Sequence, residues 1–504
     1  MGNSKVFKSI FSVTGVLIFA KVIGFVKQMV TASVFGATIE TDLINISQEF
    51  ILNIEYILIH TITTAFVAVF IKIHIENEED GDRLLSDSLK VATIVVASII
   101  LISELLSPVI SRVLAPSYSD ELSITLSNYI RIYLPALLLF IITSIFNGLL
   151  NANNHFVPGQ LSGLFLSVIT IVCVLAFKNS LGVNSLVVGF ISYAVFNFVF
   201  IASLSSKYYH YRKGNPFKNP NIKHLFLMMA PLFWGYSMIF ANQQVDKIIV
   251  SGMEAGTVTA MGYAAVLSNL VTTLTGAACT VLFTHMTVQS SEGAHDKAAN
   301  IAYKSSIILI SILIPISIIS IFDATDIVHL AFGRGSFDSI AVRNAGYALM
   351  GYSFSFIPFA LKDLYARFLY GRQNTKSPMI NTSIGIVFNI ILSILLSRRF
   401  GVFGVTIASS FSELVACILN MRSSKKQSVY IDFGMMKSFI PYWILGGVLC
   451  FLGVKLGLSV FDSYNVLVKF VLVTLLGIIG YFLGVLRLFI RYKSIIKAIL
   501  LKNN

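Results

Sequence analysis

The sequence predicts an all-α polytopic membrane protein with about fourteen transmembrane helices, and three observations carry this prediction. The chain of 504 residues is 56% hydrophobic and only 12% charged, whereas a soluble domain carries about 25% charged residues. Its mean hydropathy is +0.81. Its apolar residues form runs long enough to cross a bilayer, which takes about 20 residues, and short polar or Gly/Pro segments separate the runs. These observations exclude the soluble classes of protein.

The candidate spans follow one another along most of the chain. They are approximately 10–35, 43–73, 86–114, 122–150, 157–177, 183–206, 225–250, 258–288, 299–331, 340–370, 378–397, 402–421, 437–459 and 465–490. Several are longer than a bilayer requires, so we expect tilt or extension beyond the membrane. An even number of spans places both termini on the same side.

The positions of lysine and arginine predict which side that is. One set of termini and loops holds most of the basic residues, among them Lys5, Lys8, Lys72, Arg83, Lys90, Lys207, Arg212, Lys213, Lys218, Lys223, Arg372, Lys376, Arg422, Lys425, Lys426, Arg491, Lys493, Lys497 and Lys502. Because basic loops stay in the cytoplasm, we expect both termini to be cytoplasmic. The net charge of +13 then reflects orientation and contact with the anionic headgroups of the lipid bilayer, and we expect no nucleic-acid partner.

Catalytic and metal-binding patterns are absent from the sequence. The four cysteines, Cys173, Cys279, Cys417 and Cys450, lie far apart inside apolar spans, without the spacing of metal ligands. The predicted outer loops are short, and no cluster of His, Cys and acidic residues has a catalytic spacing. We therefore expect buried thiols, no metal and no enzyme, which argues against a membrane-embedded glycan polymerase or transferase.

The chain repeats itself at an offset of 216 to 220 residues. Thr41 matches Thr257 (257 − 41 = 216), and Pro158 matches Pro378 (378 − 158 = 220). The repeat predicts an amino-terminal lobe of six helices over residues 1–210 and a carboxyl-terminal lobe over 224–425. Two additional helices and a basic cytoplasmic tail follow over 435–504. Repeated halves are typical of alternating-access transporters, which bind their substrate near the midplane.

The first span carries two lysines at membrane depth. Lys21 and Lys27 lie inside the span rather than at its ends, where a cation costs about 3 kcal/mol unless it faces water, a counter-ion or an anionic ligand. Six residues place the two side chains roughly 120° apart around a helix, so both can border one broad cavity. We interpret them as candidate anion-binding residues. The alternative is that one reaches the cytoplasmic face or pairs with Glu49 or Glu55.

Carboxylates in and near the second span are further candidates. Glu49 and Glu55 lie six residues apart in an apolar segment, and a carboxylate at that depth needs a partner or a proton. They are expected either to carry a coupling proton or cation, or to neutralise the lysines of the first span. Asp42, at the start of this span, is expected to pair with a lysine or to gate the outer side, and the alternative is that Thr41 or Asp42 forms the N-cap of the helix.

Short motifs over roughly residues 10–420 resemble those of one family, the MurJ/MviN-type lipid II flippases of the multidrug/oligosaccharidyl-lipid/polysaccharide exporter superfamily. The motifs, in chain order, are Lys21–Gln28, Phe35–Asp42, Leu114–Tyr118, Gly148–Pro158, Val245–Gly252, Gly262–Ala264, Ala331–Asp338 and Gly371–Pro378. The resemblance implies the fold of that superfamily, with two pseudo-repeated six-helix lobes and two additional helices.

The same resemblance implies a function. Such proteins move an undecaprenyl-pyrophosphate-linked sugar, most often peptidoglycan lipid II, from the inner to the outer leaflet of the bacterial plasma membrane. The resemblance implies that a monomer does this without a cofactor, with coupling to the membrane potential, to sodium or to protons. Lys21, Lys27, Asp42, Glu49 and Glu55 then become candidate substrate-binding residues.

Some members of this family bind sodium in the second lobe. By that resemblance, Asp246 and Asn389 are candidates for cation coupling, although a local role for Asp246 at the membrane interface is the alternative.

The sequence also departs from the pattern of the family. Lysines stand at positions 21 and 27 where the family has arginines, and Val266 stands where it has an arginine in the eighth helix. Lysine keeps the charge but lacks the bidentate geometry that suits a pyrophosphate. A flippase for another lipid-linked oligosaccharide, such as a capsule or exopolysaccharide unit, therefore stays an alternative, and an ion-coupled small-molecule exporter is a further one.

Overall fold

The computed structural model is helical along almost all of the chain that it describes, which is residues 2–153, 155–216, 219–291, 295–372, 374–426 and 433–491. The helices are α1 (Gly2–Phe35), α2 (Ile39–Glu76), α3 (Glu78–Leu114), α4 (Asp120–Tyr133), α5 (Ala136–Ala152), α6 (Val157–Gln160), α7 (Ser162–Leu181), α8 (Ser185–Ser205), α9 (Pro220–Ser251), α10 (Thr257–Ser291), α11 (His295–Phe322), α12 (Ala324–Phe332), α13 (Ser339–Ser353), α14 (Phe356–Gly371), α15 (Lys376–Lys426), α16 (Phe433–Val460) and α17 (Val466–Arg491). The described residues contain no β-strand, so the predicted all-α class is confirmed.

Most of the predicted membrane spans lie in helices that are long and apolar enough to cross a membrane. Within the described residues, nine helical segments are long and apolar enough to cross a membrane. Two of these segments, Ser162–Ser205 and Lys376–Lys426, each cover two predicted spans that a glycine turn separates. The chain is therefore a multi-pass membrane protein. The number fourteen is consistent with this arrangement and stays a prediction.

Three predicted spans are interrupted rather than continuous. Span 122–150 divides into α4 and α5 at Leu134 and Pro135, where the proline has no backbone N–H to continue the helix. Span 340–370 divides into α13 and α14, and span 299–331 divides into α11 and α12 at Asp323. An apolar pattern reports burial in the membrane and does not reveal a break of one or two residues.

The backbone repeats in the same way as the sequence motifs. The break between α4 and α5 recurs between α13 and α14, with α5 starting at Ala136 and α14 at Phe356 (356 − 136 = 220). Gly182 and Gly401 adopt nearly the same left-handed conformation, at φ 55° and 56°, in turns 219 residues apart (401 − 182 = 219). Glycine adopts this region without steric cost. The predicted repeat is thus visible in the helix breaks and in the turns.

Contacts divide the chain into two compact units. The first unit comprises Met1–Thr259 and Gly335–Phe337, and the second comprises Ala260–Arg334 and Asp338–Asn504. The predicted domains at 1–210, 224–425 and 435–504 derive from the internal repeat of the sequence. The contact units do not test these bounds, which stay predictions. The last residues of the predicted basic tail, 492–504, lie outside the described part of the chain.

The first unit has an aromatic interior. Phe66, Phe140 and Phe190 of α2, α5 and α8 are fully buried, and the rings of Phe140 and Phe190 lie 5.8 Å apart in an edge-to-face arrangement. Such pairs add about 0.5–1.5 kcal/mol beyond the burial of their area. The Phe66 ring packs against Gly148 of α5, and this contact helps to hold α2, which carries three of the candidate site residues.

Four charged side chains inside the helices of the second unit form two ion pairs. Lys362 of α14 lies 2.6 Å from the Glu413 carboxylate of α15, and its neighbour Asp363 lies 2.9 Å from Arg367 one turn further on. The neighbouring Lys362 and Asp363 therefore serve different partners. Pairing reduces the unfavourable free energy of placing each charge away from bulk water.

Candidate functional site

The two lysines of α1 have no counter-ion among the described side chains. Lys21 is exposed and Lys27 is half-buried, and neither takes part in any of the ion pairs that the structure describes. The alternative in which Glu49 or Glu55 neutralises them is therefore not found. A cation in an apolar helix without a carboxylate beside it is suited to an anionic ligand.

Glu49 has a different partner from the one its sequence position suggested. Its carboxylate forms an ion pair with the Lys247 ammonium of α9. The Lys247 side chain is 16% exposed and that of Glu49 is 40% exposed, so the pair is partly shielded from solvent. Because α2 packs along α9, the pair links two neighbouring helices. Sequence analysis missed Lys247 as a site residue, and its only signal was a lysine inside an apolar span.

Glu55 is buried in α2. It is 7% exposed, and no ion pair or hydrogen bond of its carboxyl group occurs in the part of the chain that the structure describes. Desolvation disfavours the charged form of such a group. The arrangement is compatible with a carboxyl group that holds a proton, which was one of the two roles predicted for it.

Asp42 caps a helix other than its own. The N-cap of α2 is Thr38, which exchanges hydrogen bonds with Thr41 in a capping box, so the prediction of Thr41 or Asp42 at the N-cap is wrong. The Asp42 carboxylate is 2% exposed. It accepts hydrogen bonds from the backbone N–H groups of Gly256, at 2.8 Å, and Thr259, at 2.7 Å. These are two of the free N–H groups at the start of α10, where a negative charge is also favoured by the helix dipole.

Residues 335–337 contact the end of α1 in the first unit. Ser336 donates its backbone N–H to the carbonyl of Ser33 at 2.9 Å and its hydroxyl to the carbonyl of Val34 at 2.9 Å. These bonds satisfy carbonyls in the last turn of α1. We call residues 33–38, 256–259 and 335–337, together with Asp42, the clasp. Sequence analysis placed Asp42 among the candidates but gave no signal for the Ser336 contact.

Glycines permit the close approach of backbones in the clasp. Gly36, Gly256 and Gly335 all have positive φ angles, of 67°, 84° and 62°. A Cβ atom at any of them would collide with a backbone carbonyl oxygen, belonging to Ser336, Ala37 and Ser33 respectively. Only glycine fits such positions without displacement of the neighbouring chain.

The two residues predicted to couple a cation belong to different units. Asp246 is buried in α9 of the first unit. Asn389 is fully buried in α15 of the second unit, and its side-chain oxygen accepts a hydrogen bond from the Ser393 hydroxyl at 3.3 Å. Among the described residues no group of three His, Cys, Asp or Glu side chains forms a metal site. A joint role for Asp246 and Asn389 stays a prediction.

Comparison with known proteins identifies the family. The family described as "Lipid II flippase MurJ" matches residues 31–477, which is most of the chain. This chain belongs to the MurJ family. The match begins after Lys21 and Lys27 and includes Asp42, Glu49, Glu55, Asp246 and Asn389.

Relatives from distant bacteria match the chain along most of their length. A "Probable lipid II flippase MurJ" of Rhizobium tropici is 25% identical over 420 residues, covering 80% of this chain and 78% of the relative. One of the same name from Vibrio cholerae is 22% identical over 446 residues, covering 85% of this chain and 84% of the relative. The similarity therefore extends over both halves of this MurJ family member.

Solved structures show the same fold. A structure described as "Lipid II flippase MurJ, inward closed conformation" aligns with a TM-score of 0.82 over 96% of this chain and 99% of its own, at 21% identity. An inward-facing multidrug resistance MATE family transporter of the MOP superfamily aligns with a TM-score of 0.63 over 81% of this chain and 94% of its own, at 13% identity. The MurJ fold of this chain is thus shared, more loosely, with multidrug transporters.

Proposed function

We propose that this chain is a lipid II flippase, which moves the undecaprenyl-pyrophosphate-linked precursor of peptidoglycan from the inner to the outer leaflet by alternating access. The observation that carries the proposal is the match of the MurJ family to residues 31–477. The repeated helix breaks and turns support it, because two similar halves are the usual architecture of alternating-access transporters.

The lysines of α1 are the proposed headgroup site. Glu49 pairs with Lys247, so this carboxylate does not neutralise the charges of Lys21 and Lys27. A pyrophosphate brings negative charge that either ammonium group can attract. Lys27 is the stronger candidate, since its side chain is half-buried whereas that of Lys21 is exposed.

The clasp is the proposed closure on the outer side. The Asp42 carboxylate holds the start of α10, and Ser336 holds the end of α1. In the predicted topology these ends face the outside. Opening toward the outer leaflet requires the Asp42 hydrogen bonds to break, so Asp42 acts as a gate residue in this proposal rather than as a direct ligand of the headgroup.

The setting of the proposed activity follows from the sequence. We propose a bacterial plasma membrane, cytoplasmic termini, action as a monomer, and no nucleic-acid partner. Flipping a lipid requires binding and conformational change but no covalent chemistry, so we propose no catalytic activity. Asp246, Asn389 and Glu55 are proposed to couple transport to sodium or protons, and the membrane potential is a further driving force.

Complementation tests the proposal directly. In cells depleted of their own lipid II flippase, expression of this chain is expected to restore growth. Lys27→Ala is expected to abolish the rescue while the protein is still inserted, and Lys27→Arg is expected to retain it because the charge is kept. Lys72→Ala is the matched control, since Lys72 is an exposed lysine near the end of α2.

The possible outcomes test the headgroup site and the identity of the substrate separately. Normal rescue by Lys27→Ala would contradict the headgroup site but not the flippase activity. Failure of the unaltered chain, at normal expression, would contradict lipid II as the substrate. That result would favour another lipid-linked oligosaccharide as the substrate. The chain already departs from the usual family pattern at Lys21, Lys27 and Val266.

A further inference from the structure

An aspartate between α11 and α12 is buried without a donor to its carboxylate. Asp323 is 2% exposed, and neither of its carboxylate oxygens accepts a hydrogen bond from an N–H or O–H group in the described part of the chain. It stands at the N-cap position of α12, yet its side chain makes no capping hydrogen bond. Helix capping therefore does not explain why an aspartate stands at this position.

The side chain of Asp323 instead faces a second carboxyl group. Asp326, one turn along α12, lies within hydrogen-bonding reach of it. The Lys469 ammonium of α17 lies 3.0 Å from the Asp326 carboxylate and 2.9 Å from that of Asp462. Lys469 and Asp326 are 14% and 20% exposed, whereas Asp462 is 78% exposed. All four residues belong to the second unit.

The charges of this cluster balance only if a further positive charge is bound. Two ionised aspartates and one lysine leave the trio of Asp323, Asp326 and Lys469, each at most 20% exposed, with a net charge of −1, because Asp462, at 78% exposed, is solvated. Two carboxylates in contact do not both ionise in a buried site, and one of them is protonated. One proton shared by Asp323 and Asp326 makes the trio neutral and supplies the missing donor.

We propose that Asp323 and Asp326 form a binding site for one exchangeable proton, with Lys469 as the counter-charge of the carboxylate that stays ionised. The start of α12 favours that remaining negative charge through its free N–H groups. In the predicted topology this end of the second unit faces the outside, so the proton exchanges with the outer medium. The proposal concerns an ion rather than the lipid, and its test needs no lipid substrate.

The neighbouring elements do not supply another counter-charge. On α16, Lys455 is exposed and lies over the Phe322 ring, 5.4 Å from its centre. On α13, Arg343 is exposed, and neither residue forms an ion pair with the aspartates among the described side chains. His329, on α12, is half-buried two turns beyond Asp323. Lys469 is thus the cation that faces the pair.

Infrared difference spectroscopy of the purified full chain at two pH values tests the site. A band of a protonated carboxyl group that disappears at alkaline pH is expected in the unaltered protein. Asp323→Asn and Asp326→Asn are each expected to lose the component of the band that belongs to this pair, whereas the contribution of the buried Glu55 stays. Asp462→Asn is the matched control, because it removes the exposed partner of the same lysine, and it is expected to keep the band. A spectrum that Asp323→Asn leaves unchanged would overturn the proposal.

Thermal unfolding at several pH values gives a second readout. The unfolded chain releases the proton above the ordinary pKa of aspartate, about 4, whereas the folded chain retains it. The folding equilibrium is therefore expected to weaken by about tenfold per pH unit over the range in which only the folded state holds the proton. Asp323→Asn is expected to reduce this slope by the contribution of one proton. An identical slope in the variant contradicts the site.

A comparison of salts identifies the occupant. Replacement of potassium by sodium at constant pH is expected to leave both the infrared band and the unfolding slope unchanged. If sodium removes the band and stabilises the unaltered protein but not Asp323→Asn, the pair binds a metal cation, and the proton proposal is wrong.

Discussion

The carboxylate of Asp42, in the first turns of α2, accepts a hydrogen bond from the backbone N–H of Thr259 at 2.7 Å. With the bond from Gly256 at 2.8 Å, it occupies two N–H groups that would otherwise be free at the start of α10. A residue 217 residues away in sequence thus does what an N-cap side chain usually does locally. This relationship makes Asp42 a structural part of the clasp.

Substitution of Asp42 tests this role. Asp42→Ala leaves two buried N–H groups without an acceptor, which we expect to cost about 2 kcal/mol. Because 1.4 kcal/mol corresponds to tenfold, the amides of Gly256 and Thr259 should exchange with deuterium about thirtyfold faster. Hydrogen exchange measured by mass spectrometry on the peptide around these residues provides the check.

Glu40→Gln is the control for that experiment. Glu40 lies in the same first turn of α2 but is exposed, and its carboxylate accepts only from the Thr38 hydroxyl, at 3.1 Å, among the bonds described. Its substitution is expected to leave the exchange at Thr259 unchanged. Equal protection in Asp42→Ala and Glu40→Gln would show that the carboxylate of Asp42 does not stabilise the clasp.

The glycine at position 335 allows a second test of the clasp. Gly335→Ala introduces a Cβ that collides with the Ser33 carbonyl, in addition to the strain of a positive φ angle. Gly182→Ala introduces only the strain, because its φ is 55° and no atom lies within 4 Å of the added Cβ. We expect Gly182→Ala to cost about 1–3 kcal/mol and Gly335→Ala clearly more.

Thermal unfolding of the two glycine variants distinguishes these contributions. The unfolding temperature is expected to fall further for Gly335→Ala than for Gly182→Ala, and the amides at the end of α1 should lose protection only in Gly335→Ala. The same loss of stability in both variants would mean that the close contact with Ser33 contributes nothing.

The Glu49–Lys247 pair predicts a non-additive result. Glu49→Gln leaves the Lys247 ammonium, which is 16% exposed, without its partner. Since Glu49 is partly solvated, we expect a loss of about 1–2 kcal/mol, below the value for a fully buried pair. Lys247→Met combined with Glu49→Gln should recover part of that loss. A double-mutant cycle in unfolding free energy measures the coupling, and additive effects would rule the pair out as a stabilising interaction.

Glu55 predicts a separation of stability from transport. Glu55→Gln keeps the shape of the side chain and removes only the ability to ionise, so a protein of unchanged or slightly higher thermal stability is expected. If Glu55 carries a coupling proton, this stable variant should fail to restore growth in the depletion strain. Full rescue by Glu55→Gln would remove Glu55 from the coupling residues.

Composition, the length of the apolar runs and the order of the motifs predict the fold class, the approximate spans and the family. Long apolar runs can be satisfied only by helices in lipid, so composition and run length were sufficient to predict an all-α membrane protein. The motifs from Phe35 to Pro378 lie within residues 31–477, which match the MurJ family, so the resemblance to that family is confirmed. Composition, run length and short motifs depend on neighbouring residues only, so they can be read from a single sequence.

Which charged side chains meet depends on the packing of the helices. Glu49 was a candidate counter-ion for Lys21 and Lys27, but the packing of α2 against α9 brings it to Lys247. Asp42 was a candidate N-cap of its own helix, but it caps α10. Ion pairs and caps act over about 3 Å between residues that lie hundreds of positions apart. Which helix faces which is therefore a property of the folded chain, and periodicity and spacing do not contain it.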